Sequence, residues 1–293
     1  MAISSELIKQ LREKTSAGFM ACKKALDESN GDLVAAEEYL RKKGLMDAAK
    51  KSSRTAGDGL ISCIVTDDLK RASIVEINSE TDFVAKNDKF QNFVKEVTEI
   101  ALDNDADKIL DAKFKTSDRT VKEELSFIIS VIGENIQYKR SRNLQVKHGI
   151  IGTYTHNAVV PGAKMGKIGV IVCLESEDNN YNVEEAKEFG KKLSMHVAAS
   201  NPKFLSIETV PNDVLAKEKE IAKEQAISSG KPEAIAEKIA EGRIKKFYEE
   251  VVLLQQLYFE DNKSNVNDII KAFNKEHNTK FKIVDFARYQ LGE

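Results

Sequence analysis

The chain has 293 residues, which is enough for two or three small domains with cores of their own. Its 45 basic and 47 acidic side chains leave a net charge of -2, which argues against a nucleic-acid-binding protein and against attraction to an anionic membrane. No stretch approaches the roughly 18 apolar residues of a membrane helix, and the N-terminus lacks the pattern of a signal peptide. The composition therefore predicts a soluble, cytoplasmic protein.

The three cysteines, Cys22, Cys63 and Cys173, lie far apart, each within an apolar pattern. An odd number of dispersed cysteines is typical of reduced thiols in a cytosol. Neither they nor the four histidines show the close spacing of a zinc site, so the sequence predicts no metal site and no cofactor. A thiol-dependent enzyme that uses Cys63 or Cys173 remains an alternative, because a catalytic base can meet a thiol in space rather than in sequence.

Residues 1–54 have the pattern of a small helical head. Apolar residues recur at helical spacing in SSELIKQLREKT, and SAGFMACKKALDESN and GDLVAAEEYLRKKG predict two further helices. Gly44 predicts the end of the third helix, and the basic, small-residue run after it predicts a linker over residues 45–58. A second alternative is an adaptor that uses this head alone to bind RNA or a ubiquitin-type partner, although the near-neutral charge disfavours RNA.

From Gly59 the pattern changes to alternating and β-branched runs. GLISCIVT and ASIVEIN predict two strands, followed by the corner TDFVAKND and the helical run KFQNFVKEVTEIAL. HGIIGTYTH, KIGVIVCL and VEEAKEFGKKLSMHVAAS repeat the order strand, strand, corner, helix. The repetition of residues 59–102 in residues 149–200 predicts a duplicated α+β unit, with IQYKRSRNLQV as an edge strand between the copies.

The stretch from about residue 212 to 249 differs from both copies. It consists of two charged, alanine-rich helical runs separated by Gly230-Lys231-Pro232, which predicts a helical hairpin that projects from the body. The chain closes with a predicted helix in VNDIIKAFNKEH and a predicted strand in FKIVDFARYQLG. The predicted class is α+β, with domains over residues 1–54, 55–147 and 148–293, the last of which contains the hairpin.

The corner TDFVAKND places an acidic and an aromatic side chain side by side, directly after a strand. In one interpretation Thr81 or Asp82 caps a short helix and Phe83 packs inward, which composition alone favours. In the other, Phe83 is an apolar anchor for a pocket on a partner, and Asp82 competes for a magnesium ion or repels its ligands.

The sequence INSETDFVAKND closely resembles the signature of the bacterial elongation factor Ts family, and so does the head sequence LIKQLREKTSAGFMACKKALDESNGDLVAAEEYLRKKG. IGENI, HVAASNPKF and SGKPEAIAEKIAEGRIKKF resemble the same family in the same order, so that the resemblance covers residues 3–292. It implies a guanine-nucleotide exchange factor that binds elongation factor Tu in protein biosynthesis and does no covalent chemistry. It also implies a UBA-like three-helix head, a core of two duplicated α+β subdomains, and an inserted helical hairpin that forms a coiled coil.

The resemblance further implies which residues contact the GTPase partner. The corner residues Thr81, Asp82, Phe83 and Val84 would enter beside the nucleotide site, with Phe83 in a pocket and Asp82 disturbing the magnesium environment. Arg12 and Met20 match positions of the head that contact the GTPase domain in this family, and Phe19 lies beside them. His156 matches a histidine of the core that faces another domain of the partner.

One segment departs from the family pattern. NAVVPGAKMGKIG, which follows His156, is longer than the family leads one to expect and lacks its glycine-rich, arginine-containing turn. The sequence leaves open what this loop contacts, and it also leaves open whether the chain forms a homodimer.

Overall fold

The structure, a computed structural model, describes residues 3–15 and 17–293. The helices are α1 (Ser5–Thr15), α2 (Phe19–Glu28), α3 (Leu33–Lys51), α4 (Asp82–Ala85), α5 (Asp88–Ile100), α6 (Val121–Ile132), α7 (Val183–Ser200), α8 (Asn212–Ser228), α9 (Glu233–Val251) and α10 (Val266–His277). The strands are β1 (Asp58–Val65), β2 (Arg71–Ser79), β3 (Gln137–Gln145), β4 (Gly149–His156), β5 (Met165–Gly166), β6 (Ile168–Glu175) and β7 (Lys282–Gln290). The mixture of helices and antiparallel sheets confirms the predicted α+β class.

The strands form two antiparallel sheets within the described residues. The first has the order β3-β2-β1-β5 and the second has the order β4-β6-β7. The strand pairs β1–β2 and β4–β6, and the helices α5 and α7, lie where the repeated pattern predicts them. β3 lies at the edge of its sheet as predicted, with mostly polar and partly exposed side chains.

The two sheets pack face to face. Alternate residues of β1 and β2 point at the second sheet, where they form a shared core with residues of β4, β6 and β7. The other faces are covered by helices: α5 and α6 pack on the first sheet, and α7 and α10 pack on the second. The layers are therefore helix, sheet, sheet, helix, and β1, β2 and β6 are buried on both faces. This explains the nearly continuous apolar sequences of β1 and β6, whereas β2 also buries polar residues such as Ser73 and Glu76.

One carboxylate is fully buried in this arrangement. Glu76 of β2 has no exposed surface, and its oxygens lie 2.6 Å from Nε of Arg140 and 3.5 Å from Nζ of Lys139. The guanidinium of Arg140 also stacks on the ring of Tyr289 in β7, 4.2 Å from its centroid. Glu76 thus links β2 and β3 to the last strand of the other sheet, and loss of Arg140 would leave it as a buried charge with reduced compensation.

The linker predicted over residues 45–58 is wrong for its first half, because α3 continues without a break to Lys51. Gly44, which predicted a helix end, is instead buried where α3 crosses α6. A Cβ at this position would lie 3.5 Å from the carbonyl oxygen of Ser126 and 3.6 Å from Oγ of Ser130. These are ordinary van der Waals distances, so Gly44 lies within the contact between two helices rather than at a helix end, and α3 attaches the head to the first sheet's helical layer.

The charged run over residues 212–249 folds as the antiparallel pair α8 and α9. Small side chains form the buried seam between the two helices: Ala222, Ala226, Ala236 and Ala240. Ion pairs flank the seam, such as Lys219 with Glu237 at 2.7 Å. No helix in the described part of the chain has both the length and the apolar character needed to cross a bilayer.

The contact between α7 and β4 depends on two glycines that face each other. A Cβ built on Gly152 would come within 2.7 Å of Cα of Gly190 and closer still to its carbonyl group. Backbone atoms cannot yield as a flexible side chain can, so any larger residue must push α7 away from the sheet.

We expect Gly152→Ala to lower the free energy of unfolding by about 2 kcal/mol, a typical cost of overpacking a core. Urea denaturation followed by circular dichroism measures this loss. The control is Gly242→Ala in α9, where a Cβ would meet no atom within 4 Å and should raise the free energy of unfolding by up to about 0.8 kcal/mol through helix propensity. Equal losses in the two variants would contradict the close-contact explanation.

Candidate functional site

The corner between β2 and α5 is folded as one helical turn, α4. The backbone N–H groups of Lys86 and Asn87 donate to the carbonyl oxygens of Phe83 and Val84 at 3.2 and 2.9 Å. The side chain of Asn87 then caps α5 by accepting from the backbone N–H of Lys89 at 2.9 Å. Two helix starts in close succession fix which side chains point inward and which point to solvent.

Phe83 is the most exposed large hydrophobic side chain of the described residues, with 77% of its surface accessible. The next two residues, Val84 and Ala85, are only 5% and 3% exposed and pack into the core between the first sheet and its helices. They supply the burial that holds α4 in place. The interpretation in which Phe83 packs inward is therefore wrong.

The same interpretation assigned the cap to Thr81 or Asp82, but Asp82 is the first residue of α4 itself and Thr81 does not cap the helix with its side chain. Thr81 occupies the N-cap position of α4 but makes no side-chain hydrogen bond to that helix. Its hydroxyl donates instead to Oε1 of Glu134 at 2.7 Å, and its backbone N–H donates to Oε2 of the same residue at 3.0 Å. Thr81 is thus tied to the segment after α6, which sequence reasoning did not connect with the corner.

Asp82 is held by a weak ion pair. Its Oδ2 lies 3.2 Å from Nζ of Lys86, one helical turn later, and both side chains are at least half exposed. An exposed pair of this kind contributes about 0.5 kcal/mol at most. The Asp82 carboxylate can therefore exchange Lys86 for another cation at little cost.

Val84 differs from the other predicted corner residues. Because its side chain belongs to the core, it does not form part of the exposed surface. Val84 holds the corner in position, while Asp82 and Phe83 present chemical groups to solvent.

The predicted head residues are all exposed. Phe19 and Met20 open α2 and are 48% and 70% exposed, and Arg12 is an exposed residue of α1. The structure also exposes Leu45 and Met46 of α3, which the sequence reasoning placed in a linker. Recognising that the helical run continues beyond Gly44 would have found them.

His156 lies at the end of β4, outside the hydrogen-bond network described for the corner. Its Nδ1 is 3.0 Å from the hydroxyl of Tyr154. The longer loop that follows crosses to the other sheet, where β5 pairs with Ile61 and Ser62 of β1. Lys167 then forms an ion pair with Asp58, so the loop is anchored at its far end.

The cysteines do not form a reactive site. All three are buried, and burial raises the pKa of Cys63 and of Cys173 to about 12. Within residues 3–15 and 17–293, no group of three or more histidine, cysteine or acidic side chains is arranged to hold a metal ion. The geometry consequently favours a surface that binds a partner over a thiol-dependent active site.

Comparisons with known proteins identify the family. The sequence model of a family described as Elongation factor TS matches residues 80–293, which is more than half of the chain. The chain is similar to elongation factor Ts of Rhodospirillum centenum, with 45% identity over 99% of this chain and 93% of the relative. Elongation factor Ts of Mesorhizobium japonicum is 44% identical over 100% of this chain and 94% of the relative.

We expect none of the three cysteines to react with Ellman's reagent in the folded protein at pH 8, because the thiols are buried and stay protonated. All three should react within minutes in guanidinium chloride. A Ser53→Cys variant supplies an exposed control thiol that should react at once in the folded state. Rapid reaction of Cys63 or Cys173 without denaturant would contradict the burial and reopen the enzyme alternative.

Proposed function

Because this chain belongs to the elongation factor Ts family, we propose that it releases GDP from elongation factor Tu by inserting the corner from Thr81 to Val84 beside the nucleotide. Membership of the family implies nucleotide exchange on elongation factor Tu in translation. The observation that most supports the proposed route is the exposure of Phe83 on a turn that the core holds in place.

Phe83 acts as the anchor of the complex. An aromatic side chain that moves from water into a fitted pocket gains about 1.5–3 kcal/mol, and anchors of this kind dominate the energetics of many interfaces. Since α4 is packed against the core through Val84 and Ala85, little conformational entropy is lost when Phe83 binds. The pocket on the partner must widen or shift to admit the ring, and this strain is transmitted to the nucleotide site.

Asp82 acts on the magnesium ion that accompanies the nucleotide. Magnesium requires a nearly ideal octahedral shell of oxygen ligands and retains several waters. A carboxylate carried into that shell by Phe83 competes for the ion or repels its phosphate ligands. The weak pairing with Lys86 leaves Asp82 free to make this approach.

The head and His156 enlarge the interface. Arg12, Phe19 and Met20 bind the GTPase domain, and His156 faces a different domain of the partner. Because α3 packs on α6, the head is attached to the helical layer that lies beside the corner. Contacts on the head therefore help to orient the corner.

Exchange requires no covalent step, because it is a free-energy coupling between two ligands of one protein. If the factor weakens GDP binding, GDP weakens binding of the factor by the same ratio. A coupling of about 10⁴-fold needs about 5.5 kcal/mol of differential contact, which an anchor, a disturbed magnesium shell and the head contacts supply together. Binding of GTP afterwards expels the factor, so that it acts repeatedly.

We expect Phe83→Ala to reduce the second-order rate constant for GDP release about 30-fold or more, which corresponds to about 2 kcal/mol for the loss of an anchor. Stopped-flow fluorescence of a labelled GDP bound to elongation factor Tu measures the rate. Val183→Ala, which removes an exposed aliphatic side chain at the start of α7, should leave it unchanged. A folded Phe83→Ala protein as fast as the wild type would refute the anchor.

We expect the defect of Asp82→Asn to grow with magnesium concentration, because the carboxylate acts on the magnesium shell. With magnesium chelated, the variant and the wild type should release GDP at similar rates; with millimolar magnesium, the variant should be about tenfold slower, as for loss of one charged contact. Lys86→Met keeps the Asp82 carboxylate and removes the ammonium group that pairs with it. This variant should release GDP at least as fast as the wild type. A magnesium-independent defect of Asp82→Asn would contradict this role.

A further inference from the structure

Two pairs of consecutive residues, Glu80–Thr81 and Glu134–Asn135, are hydrogen-bonded to each other at the base of the corner. Glu134 accepts the backbone N–H of Thr81 at 3.0 Å and its hydroxyl at 2.7 Å. Reciprocally, Glu80 accepts the backbone N–H of Asn135 at 2.6 Å. Each pair thus supplies one carboxylate and one N–H donor, and we call this arrangement the carboxylate clasp.

The clasp also reaches the segment that leads from the head. The side-chain amide of Asn135, a residue only 2% exposed, donates to the carbonyl oxygen of Arg54 at 2.6 Å. The guanidinium of Arg54 lies 3.4 Å from the same Oε1 of Glu80 that accepts from Asn135. The end of the head segment, the end of β2 and the end of α6 therefore meet at one point.

The backbone after α6 is shaped for this contact. Gly133 ends α6 in the left-handed conformation, with φ of 90°, and its N–H closes the last turn by donating to Ile129. A glycine adopts this conformation without steric cost, so the chain reverses there and carries Glu134 toward Thr81. The preceding helix meanwhile contacts the head, where Arg41 lies 3.4 Å from Glu123.

The corner needs such support because α4 has only four residues. A helix of one turn is unstable by itself, and Thr81 gives it no side-chain cap. Burial of Val84 and Ala85 fixes the inner side of the turn, while hydrogen bonds to a carboxylate, which are short and strong, fix its first residue. The clasp thus fixes the first residue of α4, in addition to the burial that holds its inner side.

We propose that Glu134, together with Glu80, is a positioning residue for nucleotide exchange, which holds Thr81 so that Asp82 and Phe83 project in the orientation that the partner's nucleotide site requires. This inference rests on the proposed function and extends it to residues that do not touch the partner. The clasp acts through Phe83, so its contribution to the rate depends on the presence of that ring.

The test is the rate of labelled GDP release from elongation factor Tu at increasing concentrations of the factor. We expect Glu134→Ala to reduce the maximal rate about tenfold, as for loss of hydrogen bonds to a charged group, with a smaller change in the half-saturating concentration, since the head contacts remain. Glu134→Gln, which retains one acceptor oxygen, should recover most of the rate. Thr81→Val, which keeps the N–H bond and loses the hydroxyl bond, should show an intermediate defect.

A matched control exists in the same half of the protein. Glu96 binds Thr116 in the same way, accepting the backbone N–H and the hydroxyl at 2.8 Å each, but at a place outside the corner. Glu96→Ala should therefore leave the rate of GDP release unchanged. An equal defect in Glu96→Ala would overturn the positioning role and indicate a general loss of stability.

The double variant Glu134→Ala/Phe83→Ala separates positioning from stability. If the clasp acts through Phe83, Glu134→Ala should slow the Phe83→Ala protein less than twofold. Full additivity of the two defects would overturn the proposal. If Glu134→Ala does not fold, Thr81→Val is combined with Phe83→Ala in its place, and its intermediate defect decides by the same criterion.

Failure of this inference is distinguishable from failure of the proposed function. If the wild type accelerates GDP release and Glu134→Ala, Glu134→Gln and Thr81→Val accelerate it equally, the role of the clasp alone is overturned. Absence of acceleration by the folded wild type would overturn the proposed function and, with it, the role of the clasp.

Discussion

The burial of both faces of the central strands is the constraint on which the rest of the structure depends. Between the sheets lie side chains such as Ile61 and Ile171, and helices cover the outer faces. β1, β2 and β6 therefore have little room for groups that act on a partner, and a polar group among them must be paired, as Glu76 is with Arg140. The side chains proposed to contact the partner lie instead where strands end: Asp82, Phe83 and His156.

Periodicity sufficed to predict most helices and strands, because local patterns encode which face of an element is buried. The failure at Gly44 shows the limit of this reasoning. A glycine in a helical run indicates a helix end on local grounds, but here its neighbours are Ser126 and Ser130, more than 80 residues away. The face-to-face contact of the two sheets was not predicted for a similar reason, since an apolar strand sequence reports burial on both faces without stating whether a helix or a second sheet covers each one.

The candidate site was predictable to a different extent in each of its parts. Composition favoured an inward Phe83, and the resemblance to a family was needed to predict that the ring is reserved for a partner. The local reason for its exposure is visible only in the fold, where Val84 and Ala85 supply the burial that α4 requires. Glu134 belongs to the motif IGENI, which the sequence analysis noted without a role. Its bond to Thr81 joins residues 53 positions apart, and no sequence spacing encodes such a contact.

The repeated unit offers an internal comparison that isolates what is special about the corner. In both copies an asparagine caps the helix that follows the second strand: Asn87 accepts from Lys89 and Asn182 accepts from Glu184, at 2.9 and 3.0 Å. The aromatic residue before the second cap, Tyr181, turns back onto its own subdomain, where its hydroxyl donates to the carbonyl oxygen of Gly149 at 2.8 Å and its ring lies 4.9 Å from that of Phe281. In the first copy the extra turn α4 separates the strand from the cap and carries Phe83 outward. A corner built only to connect a strand to a helix does not require that turn, since the second copy manages without it, and exposing a phenylalanine is unfavourable in water. The extra turn and its exposed phenylalanine therefore support the proposal that another protein covers this surface.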